Sequence, residues 1–349
     1  MDRVAIAGGG FACNPNQVNS CNNYSQYCAG TTCTACTPFG MYNCDGISTC
    51  ESNKPCGGGP ACTSGTWRPT DTQTTVSLRG IWGETADALI VVGSRSKVFE
   101  TDGFGFTEMA KALDVPEATL QAVWGAGQQV FAVGDGGVIL TSTGGGPWSR
   151  MTSNTTVDLL DVWGSAANDV FAVGPAIILH YDGSGWSAET PPGSPSLKGV
   201  SGTGPSEVYV VGSGVILRYD GSQWLPETIA GGTGSIGQLE AVWAHSADSV
   251  FAVGRGGIIL RRSGGAWTQV YSTGGTTGGD FNAVWGTDDK DVWVAGNDAS
   301  LLRYDGLQWR ELGSTSGTTA AFHDGWGGAA HGVTVVGSGG TAMQFSCGF

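Results

Sequence analysis

The sequence predicts an all-β chain: a seven-bladed β-propeller over residues 63–349, preceded by a small disulfide-rich module over residues 1–62. Three observations carry that prediction. Gly93, Gly134, Gly174, Gly212, Gly254, Gly296 and Gly337 recur about every 41 residues, a spacing at which repeats are propeller blades or solenoid units. Within each repeat, short runs rich in Val, Ile, Phe and Trp alternate with clusters of Gly, Asp, Asn and Ser, and helix signals are nearly absent. The repeat also begins out of phase, because SGTW at 64–67 matches the end of a unit whereas TAMQFSCGF at 341–349 matches the middle of one. Together the two fragments complete a seventh blade, with residues 64–70 as its outer strand.

Residues 1–62 differ in composition from the rest. They hold nine of the ten cysteines (Cys13, Cys21, Cys28, Cys33, Cys36, Cys44, Cys50, Cys56 and Cys62) and few large apolar side chains. Such a segment buries too little to offset its chain entropy, so disulfides are expected to hold it, in an oxidising compartment: extracellular, cell-surface or periplasmic. Cys33 and Cys36 form a Cys-x-x-Cys without the helix N-terminus that redox chemistry requires, and Thr37 stands where haem attachment requires His. Zinc held by Cys33, Cys36, Cys44 and Cys50 is the alternative for a reducing compartment. Three glycines interrupt the apolar run from Val4 to Ala12, so any signal peptide is expected to be missing from this chain.

The ring is expected to fold as one domain with a continuous core. Many of the 60 glycines fall in register at strand ends and turns, where glycine is expected to supply positive φ. Only 13% of residues are charged and the net charge is −14, which argues against nucleic acid or an anionic membrane as partner. No apolar run approaches the roughly 18 residues of a membrane span.

The unit Phe281 to Leu312 reads as strand a (FNAVWG), strand b (VWVAG), strand c (LLRYDG) and strand d (LQWREL), with an Asp305-Gly306 turn of the hairpin type between c and d. Twelve of the thirteen Trp fall at two repeat positions. Strand d carries Trp67, Phe106, Trp148, Trp186, Trp224, Trp267 and Trp309, and strand a carries Trp82, Trp124, Trp163, Ser201, Trp243, Trp285 and Trp326. Residues at one repeated position share one environment, so these aromatics are expected to pack between adjacent sheets rather than stack on carbohydrate.

The stretches GGVILTSTGGGPW (136–148), ILHYDGSGW (178–186) and ILRYDGSQW (216–224) resemble the Asp-box repeats of sialidase-like propellers and of propellers of the photosystem assembly factor type. The VWG and FAVG elements look more like secreted repeat propellers of environmental bacteria. The resemblance spans the ring, with departures at Thr143, Ser263 and Ser346, which stand where the box has Asp. In those families the box is a structural hairpin remote from the active site, so the resemblance implies that Asp182, Asp220 and Asp305 are turn residues.

Functional residues are expected at the more variable end of the ring. The a–b loops share an acid or amide (Asp87, Gln129, Asp169, Glu207, Asp248, Asp291) and read as structural. The b–c tips vary, with Arg95, Asp135, Arg255, Asn297 and Asp298 as the candidate contacts. At the same end lies the second residue of each strand a: Arg79, Gln121, Leu160, Lys198, Glu240, Asn282 and His323. Six of these are polar and no two are alike, whereas their strand neighbours are small or apolar in almost every copy. A ring of unlike donors and acceptors around a concave mouth suits a small polar ligand.

Signatures of catalysis are scarce. The chain has no His-Glu-x-x-His, no Gly-x-Ser-x-Gly and no phosphate-loop lysine motif, and Gly232 to Gly237 spells G-x-G-x-x-G in a loop with no helix signal after it. No catalytic residue, metal or cofactor is therefore expected. The expectation is an extracellular or cell-surface binding protein, adhesive in type, whose partner is a surface glycan or a protein; the alternative is a sialidase-like glycoside hydrolase or a polysaccharide lyase. Cys347 aligns with the c–d turn position of Gly221 and Cys62 lies five residues before Trp67, which predicts a Cys62–Cys347 disulfide across the closing strands.

Overall fold

The computed structural model describes residues 26–29, 32–35, 65–101, 105–109, 117–230, 237–273, 279–312, 318–328 and 332–347. Residues Gln26–Ala29 pair antiparallel with Thr32–Ala35. The remaining described strands form seven four-stranded antiparallel sheets, the blades of a propeller. Blades I to VII begin with strands a at Leu78–Thr85, Leu120–Ala126, Asp161–Ala166, Leu197–Gly204, Leu239–Ser246, Phe281–Asp288 and Phe322–Gly328. In blade VII the outer strand is Gly65–Pro69, which pairs with Ala342–Cys347 in a register that sets Trp67 opposite Phe345. The ring is thus closed by joining the two ends of the repeat region in one sheet. Among the described residues there is no α-helix, only four three-residue 3-10 turns, at Ser94–Ser96, Asp135–Gly137, Asn297–Ala299 and Ser338–Gly340. No helix of the described residues is long and apolar enough to cross a membrane. Cys62, and with it the expected Cys62–Cys347 bond, lies outside the described residues, as do the side chains of the other cysteines in 1–62.

The core is a series of apolar layers between successive blades. Phe131, Val133 and Ile139 of blade II, for example, pack on Val162, Val170 and Leu179 of blade III. Strand d tryptophans Trp148, Trp186, Trp224 and Trp267 are buried in these layers. Several also tie to the blade before: the Trp224 indole N–H donates to Glu189 at 2.6 Å, that of Trp267 to Glu227, and that of Trp148 to the Met109 sulfur.

Strand a tryptophans pack by a different rule. The indole edges of Trp82, Trp124, Trp163, Trp243 and Trp285 lie over a glycine of the next blade, so that a Cβ added at Gly125 would sit 2.7 Å from Trp82, at Gly164 2.6 Å from Trp124, and at Gly202 2.6 Å from Trp163. The one strand a without an indole shows why the glycine is there. Blade IV has Ser201, and blade V has Ala244 at the glycine position, with the Ala244 N–H donating to Ser201 Oγ at 3.1 Å. Two substitutions in neighbouring repeats thus compensate each other.

The seven period-marking glycines differ from expectation. Gly93, Gly134, Gly296 and Gly337 have φ of −169°, −171°, −163° and −165°, extended backbone open to any residue. What requires glycine is close approach. A backbone carbonyl oxygen from the segment leading into strand a would lie between 2.0 Å (Gly174) and 2.3 Å (Gly93) from an added Cβ in all seven blades. Positive φ occurs elsewhere, at b–c tips such as Gly136 (65°) and at c–d turns such as Gly306 (88°).

Candidate functional site

A β-bulge places the variable residue of strand a in six of the seven blades. Register shifts fall between Leu78 and Gly80, Leu120 and Ala122, Leu197 and Gly199, Leu239 and Ala241, Phe281 and Ala283, and Phe322 and Asp324. The skipped residues are Arg79, Gln121, Lys198, Glu240, Asn282 and His323, all six polar residues of the expected rim. A bulge frees one residue from the ladder and re-aims its side chain. Their variability follows, since no cross-strand partner dictates them.

These side chains reach the b–c tips of their own blades. Gln121 donates to Asp135 at 2.8 Å, Arg255 to Glu240 at 3.2 Å and Asn282 to Asn297 at 3.0 Å, and the His323 ring nitrogen lies 2.9 Å from Ser338 Oγ. Rim and tips, read from the sequence as two sets, are therefore one surface of paired residues. Lys198 instead reaches the next blade, 3.4 Å from Glu240. Arg79 stands apart: its Nε is buried and has no hydrogen-bond partner. Beside it, burial and then the Arg79 charge lower the His323 pKa to about 4, so that ring is neutral near neutral pH. Among the described residues no carboxylate forms an ion pair with Arg79, so it presents a positive charge at the rim.

Three b–c tips carry non-glycine residues in the left-handed region, where blades II, IV, V and VII use glycine. Arg95 and Ser96 have φ of 61° and 53°, Ala176 has 59°, and Asp298 and Ala299 have 53° and 55°. Left-handed backbone costs an L-residue roughly 1–2 kcal/mol, and such strain concentrates at functional sites. Arg95 and Asp298 are both expected contacts, and neither takes part in the rim–tip pairs above.

At the opposite end, three of the a–b acids are held in ion pairs. Asp169 meets His180 at 2.7 Å, Glu207 meets Arg218 at 3.4 Å and Asp291 meets Arg303 at 2.8 Å, each acid bracing strand b on strand c. Asp182, Asp220 and Asp305 accept backbone N–H groups within their own c–d turns, and hydrogen bonds from Ser184, Ser222 and Gln308 respectively hold their pKa values at about 2.

Sequence reading missed two residues in the channel. The third position of strand a is Gly80, Ala122, Gly199, Ala241 and Ala283 in five blades, but Asp161 and Asp324 in blades III and VII. The signal was the exception to a small-residue column. Asp161 accepts the Val162 N–H at 2.9 Å and, across the seam, the Val200 N–H at 2.8 Å. Asp324 accepts the Gly325 N–H at 2.8 Å and the Ile81 N–H at 2.9 Å. Each carboxylate therefore staples its blade to the next. Both line an axial cavity of about 660 Å³ that runs inward from the Arg79 to His323 rim and is walled by strand a tryptophans.

Burial pushes both carboxyls up to about 7, against the pull of the two backbone N–H donors at each, and the Asp324 charge adds to the rise at Asp161. The folded chain thus holds these protons to higher pH than the unfolded chain, so the stability they confer is complete below the ordinary carboxylate value of 3.8 and is lost as pH rises through about 7. His323 acts oppositely, losing stability as pH falls from 6.5 towards about 4. With two carboxyls against one imidazole, Tm is expected to be higher at about pH 5.5 than at about pH 8. Asp161→Asn with Asp324→Asn should flatten that difference; a Tm that rises with pH in the parent protein would contradict the assignment.

No protein-family model matches the chain, and no curated protein matches it. Solved structures do match, as folds. A structure described as YCF48 bound to D1 peptide aligns with a TM-score of 0.67 at 16% identity, over 82% of this chain and 97% of the other. YCF48 from Cyanidioschyzon merolae aligns with a TM-score of 0.65 at 22% identity, over 80% of this chain and 99% of the other. A streptogramin B lyase aligns with a TM-score of 0.67 at 10% identity, over 83% of this chain and 100% of the other. The similarity to YCF48, a photosystem assembly factor, meets the resemblance read from the repeats at the level of architecture. At these identities a lyase and a peptide-binding protein serve equally as neighbours, so what the chain shares with all three is the propeller fold.

Proposed function

We propose that the protein is a non-catalytic binding protein that engages a peptide segment of a protein partner across the end of the ring bearing the strand a bulges and b–c tips. The observation that carries this reading is the surface itself: unlike polar residues are freed by six bulges, most are braced by b–c tips, and the positive charge of Arg79 stands among them. The left-handed Arg95 and Asp298 support it, because strain is retained where a side chain must be displayed. A peptide is favoured over a glycan because a propeller of this shape, YCF48, has been captured with a peptide. The nine cysteines of residues 1–62 support a place outside the cytoplasm.

A hydrolase reading gains one observation, the two carboxyls of raised pKa in a tryptophan-walled cavity. Glycoside hydrolysis, however, divides an acid from a base by giving them unlike surroundings. Asp161 and Asp324 have matched surroundings, and each oxygen of each carboxylate already accepts a backbone N–H.

Screening the purified protein on arrays of synthetic peptides and of glycans tests the proposal. Peptide binding is expected, weakened roughly tenfold or more by Arg79→Ala at unchanged Tm. Arg95→Gly and Asp298→Gly should weaken binding while raising stability by about 0.5–1 kcal/mol each, since glycine enters the left-handed region cheaply. Glycan binding alone, or an Arg79→Ala variant that binds peptide as the parent does, overturns it. Glycoside cleavage abolished by Asp161→Asn would put the hydrolase in its place.

A further inference from the structure

We infer that the axial cavity is a binding site for a compact organic ammonium ion, held against indole faces and between Asp161 and Asp324. This site is distinct from the peptide surface at the mouth, and either can fail without the other.

The volume, about 660 Å³, lies in the range of cavities that bury small ligands. The wall is largely aromatic. Trp82, Trp124, Trp163, Trp243 and Trp326 are half-buried and line the cavity, with Trp285 more deeply set beside them. The indole edges of Trp82, Trp124, Trp163 and Trp243 are pinned by the glycines of the next blade, so these rings are held in place before any ligand arrives. Indole faces attract cations through the ring quadrupole, and the gain grows when the cation is desolvated.

The charge inside has the complementary sign. Asp161 and Asp324 face the cavity without an ion-pair partner among the described residues. Towards the other end lie Glu84 and Asp87, and Asp87 Oδ1 is buried with no hydrogen-bond partner. The lining cations are Arg79 and Lys198, both at the mouth, and Lys198 is already paired with Glu240. The deeper wall is therefore acidic and lacks a cation of its own. Carboxylates recessed in an aromatic-walled cavity without a counter-ion are costly, and the rise of both pKa values to about 7 accords with that cost.

The donor set favours an organic cation over a metal. A divalent hard cation takes about six or more oxygen ligands. Both oxygens of Asp161 and of Asp324 already accept a backbone N–H, and no group of three His, Cys, Asp or Glu among the described residues is placed to hold a metal. A bulky ammonium asks for less: a diffuse negative field and aromatic surface.

Calorimetric titration with choline, and with its neutral isostere 3,3-dimethylbutan-1-ol, separates charge from shape. Saturable binding of choline is expected, with the isostere weaker by roughly tenfold or more. Asp161→Asn and Asp324→Asn, each confirmed folded by its thermal transition, should each weaken choline binding by roughly tenfold. Should either variant not fold, choline must still raise the Tm of the unmodified protein while the isostere does not. No saturable choline binding, equal binding of the isostere, or unchanged affinity in the folded Asn variants would overturn the inference. Arg95→Gly, which tests the peptide surface and lies outside the cavity lining, should leave choline binding in place.

Discussion

Gly254→Ala is expected to destabilise the protein by about 3 kcal/mol or more, although it adds a single methyl group. The new Cβ would lie 2.1 Å from the carbonyl oxygen of Gln238 and 2.8 Å from the Leu239 Cα, both backbone atoms that cannot rotate away. Relief requires strand a of blade V to move from strand b, and the Gln238 carbonyl also accepts the Arg255 N–H at 2.9 Å, so the b–c tip moves with it. Gly256→Ala is the matched control: φ is 73° and an added Cβ meets nothing within 4 Å, so only the left-handed penalty of about 1 kcal/mol applies. Urea unfolding of the two variants would show the order. If Gly254→Ala falls within about 1 kcal/mol of the parent, close approach is not what fixes glycine at this position.

That control bears on what the repeat pattern could and could not reveal. The period, the four strands per unit and the closure through Gly65–Pro69 were legible because they depend on hydrophobic alternation and turn chemistry, which are local. The reason for the period-marking glycines was not, because it depends on how near another strand comes. The bulges were hidden for a related reason: a bulge is a property of two strands in register, and only its consequence, an oddly variable column, appears in one of them. Arg79, Gln121, Lys198, Glu240, Asn282 and His323 were found through that consequence. Asp161 and Asp324 were overlooked because two exceptions in a column of seven read as noise until the ring brings blades III and VII to face the same channel.

The seam between blades IV and V makes the second large prediction. Here the ring lacks a strand a indole, having Ser201 against Ala244, and an ionic network braces the outer layer. Glu227 takes Arg262 in two parallel contacts of 3.0 and 3.1 Å, also pairs with Arg218 at 3.2 Å, and accepts the Trp267 N–H. Arg262 lies over the Tyr209 ring at 5.4 Å, and its side chain is only 10% exposed. Glu227→Ala would leave a buried guanidinium without its carboxylate, with only the Ala247 carbonyl still accepting from it, and a buried indole N–H without its acceptor, and a loss of about 3–5 kcal/mol is expected. The pair itself need not be worth that much, because its desolvation cost offsets most of the attraction. Replacing both partners, Glu227→Met with Arg262→Met, is therefore expected to recover a large part of the loss. By contrast, Asp305→Ala removes an ion pair to Arg310, which is 60% exposed, and solvent screening leaves that pairing little weight in stability. A double-mutant cycle read by thermal unfolding decides the matter: if Glu227→Ala and the double Met variant are equally unstable, the seam depends on the charges themselves and not on leaving Arg262 unpaired.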